Sequence, residues 1–503
     1  MHILKKISYI CTQIANHNKV NFYMVNNKII GREREFAELQ RCMDSNRSEL
    51  VIVYGRRRVG KTFLVDSFFN EKYDFSFVGG HNLPQRTQLR NFAKALKIAA
   101  GEHAMRKFDD WFDAFDALEE HLSSLPSNRK KVVFIDEMPW IDSIRSNFTQ
   151  AFENFWNAWA ARRHDIVFVA SGSATSWMID NLVDNQGGLH ARITCRIYLR
   201  PFSLYEVEQY LQSGGCPWDR FQIAQCYMAL GGIPFYLSLL DVNMSVAQNI
   251  DSLCFNKSGA LSSEFFELYN ALFANADDYI SVVRILATKT NGMTYSEIAD
   301  ASGVSGSKLT KILSNLERCD FVMKFKYYGK KSQDTIIRLT DFYTLFYLRY
   351  IEPNKDAYDE QWWSNHCNSH SVEAWQGLTF ELLGLMHIRQ IKAALNIGAV
   401  ATDVSAWFDK GGRNTSSRGS QIDLIIERAD RIIHLCEMKF CLGQYRITAD
   451  YEMKLRNRME LFRERTRNRK SLVNTFVTSF GIANGSHTGV VNSEVTLDGL
   501  FAK

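Results

Sequence analysis

Residues 55–62 read Gly-Arg-Arg-Arg-Val-Gly-Lys-Thr, which is the G-x-x-x-x-G-K-T spacing of a phosphate-binding loop. The apolar run Leu50 to Tyr54 leads straight into it, and Thr62 to Phe69 has the character of a helix leaving it. Strand, loop and helix N-terminus in that order surround a polyphosphate with backbone N–H groups, where the helix dipole favours negative charge. Gly55 and Gly60 allow tight turning and close backbone approach. Arg56, Arg57, Arg58 and Val59 complete the cofactor-binding loop, Lys61 reaches the β- and γ-phosphates, and the Thr62 hydroxyl ligates Mg²⁺. ATP or GTP is the expected ligand, with ATP and Mg²⁺ the first choice.

A second cluster supplies the missing acid. Lys131-Val132-Val133-Phe134-Ile135-Asp136-Glu137 is an apolar strand with two carboxylates at its C-terminal end, where open α/β sheets bind ligands. Asp136 is the expected Mg²⁺ partner. Glu137 is the expected catalytic residue, because it can orient and activate a water against the γ-phosphate. The next apolar run, Ile166 to Ala170, ends in Ser171-Gly172-Ser173, and Ser173 is placed to sense the γ-phosphate. A simple turn serine there is the competing explanation.

A third group of charged residues lies far downstream. Gln421 to Ile426 and His434 to Phe440 read as two strands joined by the polar turn Arg428 to Arg431. Glu437 and Lys439 are two apart on the second and share a face. Glu381 lies upstream on a helix-like stretch, Trp375 to Ile391. Carboxylates at adjacent strand ends can hold Mg²⁺ or Mn²⁺ against a phosphodiester, with a lysine to position water or stabilise developing charge. Asp423 and Glu437 are the expected metal ligands, Glu381 an accessory ligand and Lys439 the catalytic lysine; charge alternation on a half-exposed strand is the plain alternative.

The elements that must position these groups follow from periodicity. Besides the strands above, Tyr73 to Val78 and Ile193 to Leu199 read as strands, and residues 86–125 and 147–161 carry helical spacing. Alternating strands and helices predict a doubly wound parallel sheet. Residues 280–340 give three short helical patterns followed by two strand-like runs, Phe321 to Tyr328 and Thr335 to Leu339, which resembles a winged helix-turn-helix. Lys308, Lys311, Lys324, Lys326, Lys330 and Lys331 are its candidate phosphate contacts. A module that only packs between domains explains the same pattern.

Composition bounds the rest. At 503 residues with 46% hydrophobic content the chain exceeds one ordinary domain and has ample core, while a net charge of +5 is too small to argue for nucleic acid by itself. Ten cysteines without a paired C-x-x-C spacing fit reduced thiols, and His366, Cys367 and His370 lack the second cysteine pair of a zinc site. No apolar run approaches the roughly 20 residues of a membrane span. A cytoplasmic protein without membrane contact is expected. Met24, directly before Val25-Asn26-Asn27, is an alternative start to Met1.

Together the motifs Gly31-Arg32-Glu33, Gly55 to Thr62, Ile135-Asp136-Glu137, Ser171-Gly172-Ser173, Arg200-Pro201-Phe202-Ser203 and Gly231-Gly232-Ile233-Pro234 resemble the prokaryotic AAA+ and archaeal-type ATPases, close to the signal-transduction ATPases. The resemblance implies that residues 30–35 lie near the adenine and that a helical lid contains Gly232 and Pro234. It also implies an arginine that senses the γ-phosphate; Arg192 is the nearest match, with Arg196 and Arg200 close by. Glu381, Asp423 and Glu437-x-Lys439 resemble the PD-(D/E)XK nuclease core found behind ATPases of this clade, over about residues 370–480. The expected order is an extension at 1–27, a P-loop ATPase core at 28–200, a lid at 201–275, a winged helix at 276–350 and a small α/β nuclease-like domain at 351–503. Nucleic acid, DNA in the first place, and further copies of the chain are the expected partners. The rival expectation is an ATP-dependent regulatory switch whose nuclease-like domain binds a partner and cuts nothing.

Overall fold

Five of the apolar runs become strands of one sheet, and the three central ones, at Glu49–Gly55, Lys131–Asp136 and Ile166–Ser173, are packed on both faces. The computed structural model describes residues 24–25, 28–143, 145–173, 176–178, 189, 192–273, 275–329, 335–355, 359–409 and 419–503. Residues 1–23, Lys330 and Lys331 lie outside them. The chain divides into two units, Met1–Pro201 and Phe202–Lys503.

In the first unit a short ribbon, β1 (Met24–Val25) and β2 (Lys28–Ile29), precedes the helix Glu33–Asp44. The sheet follows, with β3 (Glu49–Gly55), β4 (Phe75–Val78), β5 (Lys131–Asp136), β6 (Ile166–Ser173) and β7 (Cys195–Leu199) in the order β4-β5-β6-β3-β7. Every pairing is parallel, so all C-terminal ends share one edge. The register sets Gly55 beside Ser173 on that edge. Phe92, Trp111, Phe115, Phe148 and Phe152 form an aromatic layer against the sheet. Their helices are Gln85–Ala100, Trp111–Ser124 and Phe148–Asn154. The helix expected over 147–161 is α-helical only to Asn154; it widens to a π turn at Phe155–Trp159 and tightens at Ala160–Arg162. The π turn lets consecutive Phe155 and Trp156 both reach the core.

The second unit begins with the helices Leu204–Ser213 and Arg220–Leu230, each started by a capping box, at Ser203 and Asp219. The Phe202 amide donates to the Gly232 carbonyl (2.7 Å), and a Cβ on Gly232 would stand 1.9 Å from the Phe202 carbonyl oxygen, so only glycine fits. Three helices, Ala276–Ala287, Tyr295–Ser302 and Gly306–Arg318, then stand with the antiparallel strands β8 (Met293–Thr294), β9 (Val322–Phe325) and β10 (Ile336–Leu339) in the order β8-β10-β9.

The remainder is a mixed sheet. Strands β11 (Thr402–Asp409), β12 (Ser420–Arg428), β13 (Ile432–Lys439), β14 (Ser471–Thr478) and β15 (Ser493–Thr496) lie in sequence order. The first three pair antiparallel, and β13-β14-β15 pair parallel. Helix His370–Met386 packs on β13, and Gly384 permits it, since a Cβ there would meet Met438 Sδ at 2.5 Å. The helical stretch expected to continue to Ile391 breaks at His387 and resumes as Ile388–Ala394. The segment after β9 joins this sheet: Tyr328 N–H donates to Ala406 (2.7 Å) and Ala406 N–H to Lys326 (3.0 Å), at the bulge of β11. No helix among the described residues is long and apolar enough to cross a membrane.

Candidate functional site

The loop between β3 and the helix Lys61–Phe69 is shaped by two backbone requirements. Gly60, the residue before the helix, has φ 90°, and Gly55 sits so close to β7 that a Cβ would lie 2.3 Å from the Leu199 carbonyl oxygen. Lys61 is 5% exposed, and its Nζ donates to the Arg56 carbonyl (3.2 Å), curled into the loop that a phosphate would fill. Arg32 Nη2 ties the loop to the sheet edge through the Val59 (3.4 Å) and Arg200 (2.9 Å) carbonyls.

Thr62 Oγ1 donates to Asp136 Oδ2 at 2.8 Å. A hydroxyl and a carboxylate in contact, one at the phosphate loop and one at the end of β5, one strand beyond β6, are the donor pair an Mg²⁺–nucleotide needs, so the residues fit that ion. When bound, the ion would offset charge on the β- and γ-phosphates. The other carboxylate oxygen accepts from Ser171 Oγ and from the Glu137 amide (3.0 Å). Ser171 escaped the sequence reading, although it lies two residues before Ser173 and so shares its strand face.

Glu137 stands in the left-handed region, φ 48° and ψ 46°, which is strained for a residue with a Cβ. Burial is the main influence that pushes its carboxyl above the ordinary range; Lys61 opposes and Asp136 reinforces the shift. The Ser173 amide donates to it, and Oε2 is buried without a hydrogen-bond partner among the described residues. Gln88, fully buried, braces the following turn through the Gly80 (2.7 Å) and Trp140 (3.0 Å) carbonyls. Arg192 is an exposed turn residue whose amide donates to Leu189 (3.0 Å); its role as a phosphate sensor rests on the resemblance alone.

Residues 29–240 match a family described as an ATPase domain predominantly from Archaea. The chain is a P-loop ATPase with an archaeal-type ATPase domain. An uncharacterized protein of Methanocaldococcus jannaschii is 23% identical over 400 residues, 79% of this chain and 83% of that protein. An uncharacterized ATP-binding protein of the same organism is 44% identical over 43 residues, 8% of this chain and 73% of its own length. Among solved structures, the Walker-type ATPase of Pyrococcus abyssi is similar at TM-score 0.47 and 18% identity, over 64% of this chain and 96% of that one. Behind the ATPase domain, residues 280–324 match an IclR helix-turn-helix domain. Two lysines expected to face phosphate there are ion-paired, Lys308 with Asp278 (2.8 Å) and Lys324 with Glu317 (2.5 Å), while Lys311 and Lys326 are exposed.

The downstream charged residues do converge. Continuing the Leu424–Cys436 register by one residue brings Asp423 abreast of Glu437. Burial raises the Glu381 carboxyl to about 8, with Asp423 the next cause, and Arg338 and Glu437 also act on it. Arg338, on β10, is 6% exposed and has Glu381 and Asp423 as its opposing charges. Asp423 accepts from Gln421 Nε2.

Among the described residues no three His, Cys, Asp or Glu side chains are grouped to hold a metal ion. Glu437 is engaged instead by two cations and a hydroxyl. It accepts from Arg458 Nη1 (2.5 Å), Lys439 Nζ (2.8 Å) and the Tyr451 hydroxyl. Arg458 and Tyr451 project from the helix Ala449–Thr466, which holds most of the basic stretch Lys454 to Lys470. Much of that stretch is neutralised: Arg456 pairs with Glu452 (2.6 Å), Arg465 with Asp409 (3.0 Å) and Lys470 with Glu427. As placed, the residues Glu381, Asp423 and Glu437 do not fit a metal. His366 and His370 engage Trp362 (2.7 Å) and Glu373 (3.2 Å) separately, and the described cysteines are free thiols, buried apart from Cys367 and Cys441.

A raised folded-state pKa at Glu381 has a stability consequence. The folded chain keeps a proton that the unfolded chain loses in the ordinary carboxylate range, so this contribution is full below that range and lost as pH rises through about 8. Glu381→Gln is expected to flatten the fall in urea midpoint between about pH 5 and about pH 9. An unchanged slope would place the proton elsewhere.

Proposed function

We propose that the chain is an ATP-hydrolysing switch of the AAA+ type whose second unit engages DNA. The contact that carries this reading is Thr62 Oγ1 on Asp136 Oδ2, 2.8 Å apart, with Glu137 next in sequence and its carboxylate near Lys61. Lys61 and the loop amides bind and orient the phosphates, Thr62 and Asp136 hold the Mg²⁺ position, and Glu137 takes the proton of an attacking water. The helix-turn-helix match at 280–324 supports a nucleic-acid partner.

Of the two expectations for the C-terminal domain, binding without cutting is favoured by Glu437, whose carboxylate is occupied by Arg458, Lys439 and Tyr451. The test is phosphate release with and without duplex DNA, run beside end-labelled DNA in Mg²⁺ or Mn²⁺ in each nucleotide state. ATP turnover that responds to DNA, with the DNA left intact, is expected. Cleavage that disappears in Asp423→Ala or Lys439→Ala would restore the nuclease reading.

A further inference from the structure

Arg458 holds more hydrogen-bonding capacity than its surroundings use. Its side chain is nine-tenths buried, at 10% exposure, and Nη1 lies 2.5 Å from Glu437 Oε2. Its Nε and Nη2 are buried with no hydrogen-bond partner among the described residues. A guanidinium has five N–H donors and no acceptor, so a covered and unpaired edge is costly and can be satisfied only by an acceptor, most strongly by an anion.

The neighbourhood selects the kind of anion. Glu437 also meets Lys439, whose side chain is 30% exposed and opens the cluster to solvent. The Lys439 ammonium lies over the rings of Tyr451 (5.2 Å) and Tyr445 (5.8 Å), flat apolar faces beside two cations. The segment that follows β9 hydrogen-bonds to Ala406 on the edge strand β11 of this sheet. Forked and point cations beside aromatic faces suit a phosphodiester backbone.

We infer that Arg458 and Lys439 form a metal-independent binding site for a DNA phosphate, in which the Nε–Nη2 edge of Arg458 takes the phosphate oxygens while Nη1 stays on Glu437. The cluster expected to gather a divalent cation thus meets phosphate with protein cations instead. This rests on the reading that the second unit engages DNA.

The test is equilibrium binding of a fluorescent duplex DNA to the full chain in excess EDTA. Wild type is expected to bind, and Arg458→Gln to bind about tenfold more weakly. Arg458→Lys keeps a cation for Glu437, and so the fold, but lacks the planar fork; a loss of about threefold or more is expected there too. Wild-type affinity in both variants, or wild-type binding that EDTA abolishes, overturns the inference. If Lys311→Ala loses binding while the Arg458 variants keep it, DNA engagement stands and this site falls. If wild type binds no DNA under any condition, the reading beneath it falls as well.

Discussion

Glu137→Gln is expected to lower kcat for ATP hydrolysis by about 10²–10⁴-fold, the usual contribution of a positioned general base, while ATP affinity stays close to wild type. The amide keeps the shape of the side chain and can still accept from the Ser173 amide, but it cannot take a proton. Burial makes the native carboxylate a better base by raising its pKa toward the working pH. The left-handed backbone at Glu137 and the Gln88 hydrogen bond to Trp140, in the turn that follows, set the path of the chain that carries that carboxylate. Steady-state phosphate release, beside equilibrium binding of a fluorescent ATP analogue, separates the two effects. Wild-type turnover in the variant would remove Glu137 from the base role.

The phosphate loop was legible because its requirements are local. Gly55, Gly60, Lys61 and Thr62 act through backbone turning and through side chains a few positions apart, which a linear motif records. Asp136 was legible for a related reason, since a buried strand ending in acid marks the edge of a parallel sheet. The partners that complete the site left no such trace. Ser171 reaches Asp136 across 35 positions and Arg458 reaches Glu437 across 21, and neither spacing follows a helical or strand period. Strands β12 and β13 were readable from apolar runs. The edge strands β11 and β15 were not, because exposed positions such as Asp403, Phe408 and Glu494 dilute the alternation. The carboxylate cluster shows the limit most clearly. Residue types at Glu381, Asp423 and Glu437 suggested a metal, and only the placement of Arg458 and Lys439 revealed that Glu437 is held by cations.

Asp165→Ala is expected to destabilise the first unit by about 3–5 kcal/mol, a large part of an ordinary domain's total of about 5–15 kcal/mol. Lys131 opens the strand that ends in Asp136, and its side chain is 0% exposed, with Nζ 2.7 Å from Asp165 Oδ2. Arg163 grips the same carboxylate through Nε and Nη2, both at 2.8 Å. Deleting Asp165 leaves a buried ammonium with no counter-charge, whereas Arg163, partly exposed, can turn to water. Arg163 first, and then Lys131, hold the Asp165 carboxyl well below the ordinary range against the opposing effect of burial. The stability it supplies is therefore present above that range and lost as the pH falls toward the folded-state value. Lys131→Met added to Asp165→Ala should recover most of the loss, because an apolar side chain of similar volume removes the stranded charge. Guanidinium midpoints of the single and double variants at neutral pH decide the matter. A double variant no more stable than Asp165→Ala would show that the carboxylate works through Arg163 and the turn it anchors, with Lys131 a bystander.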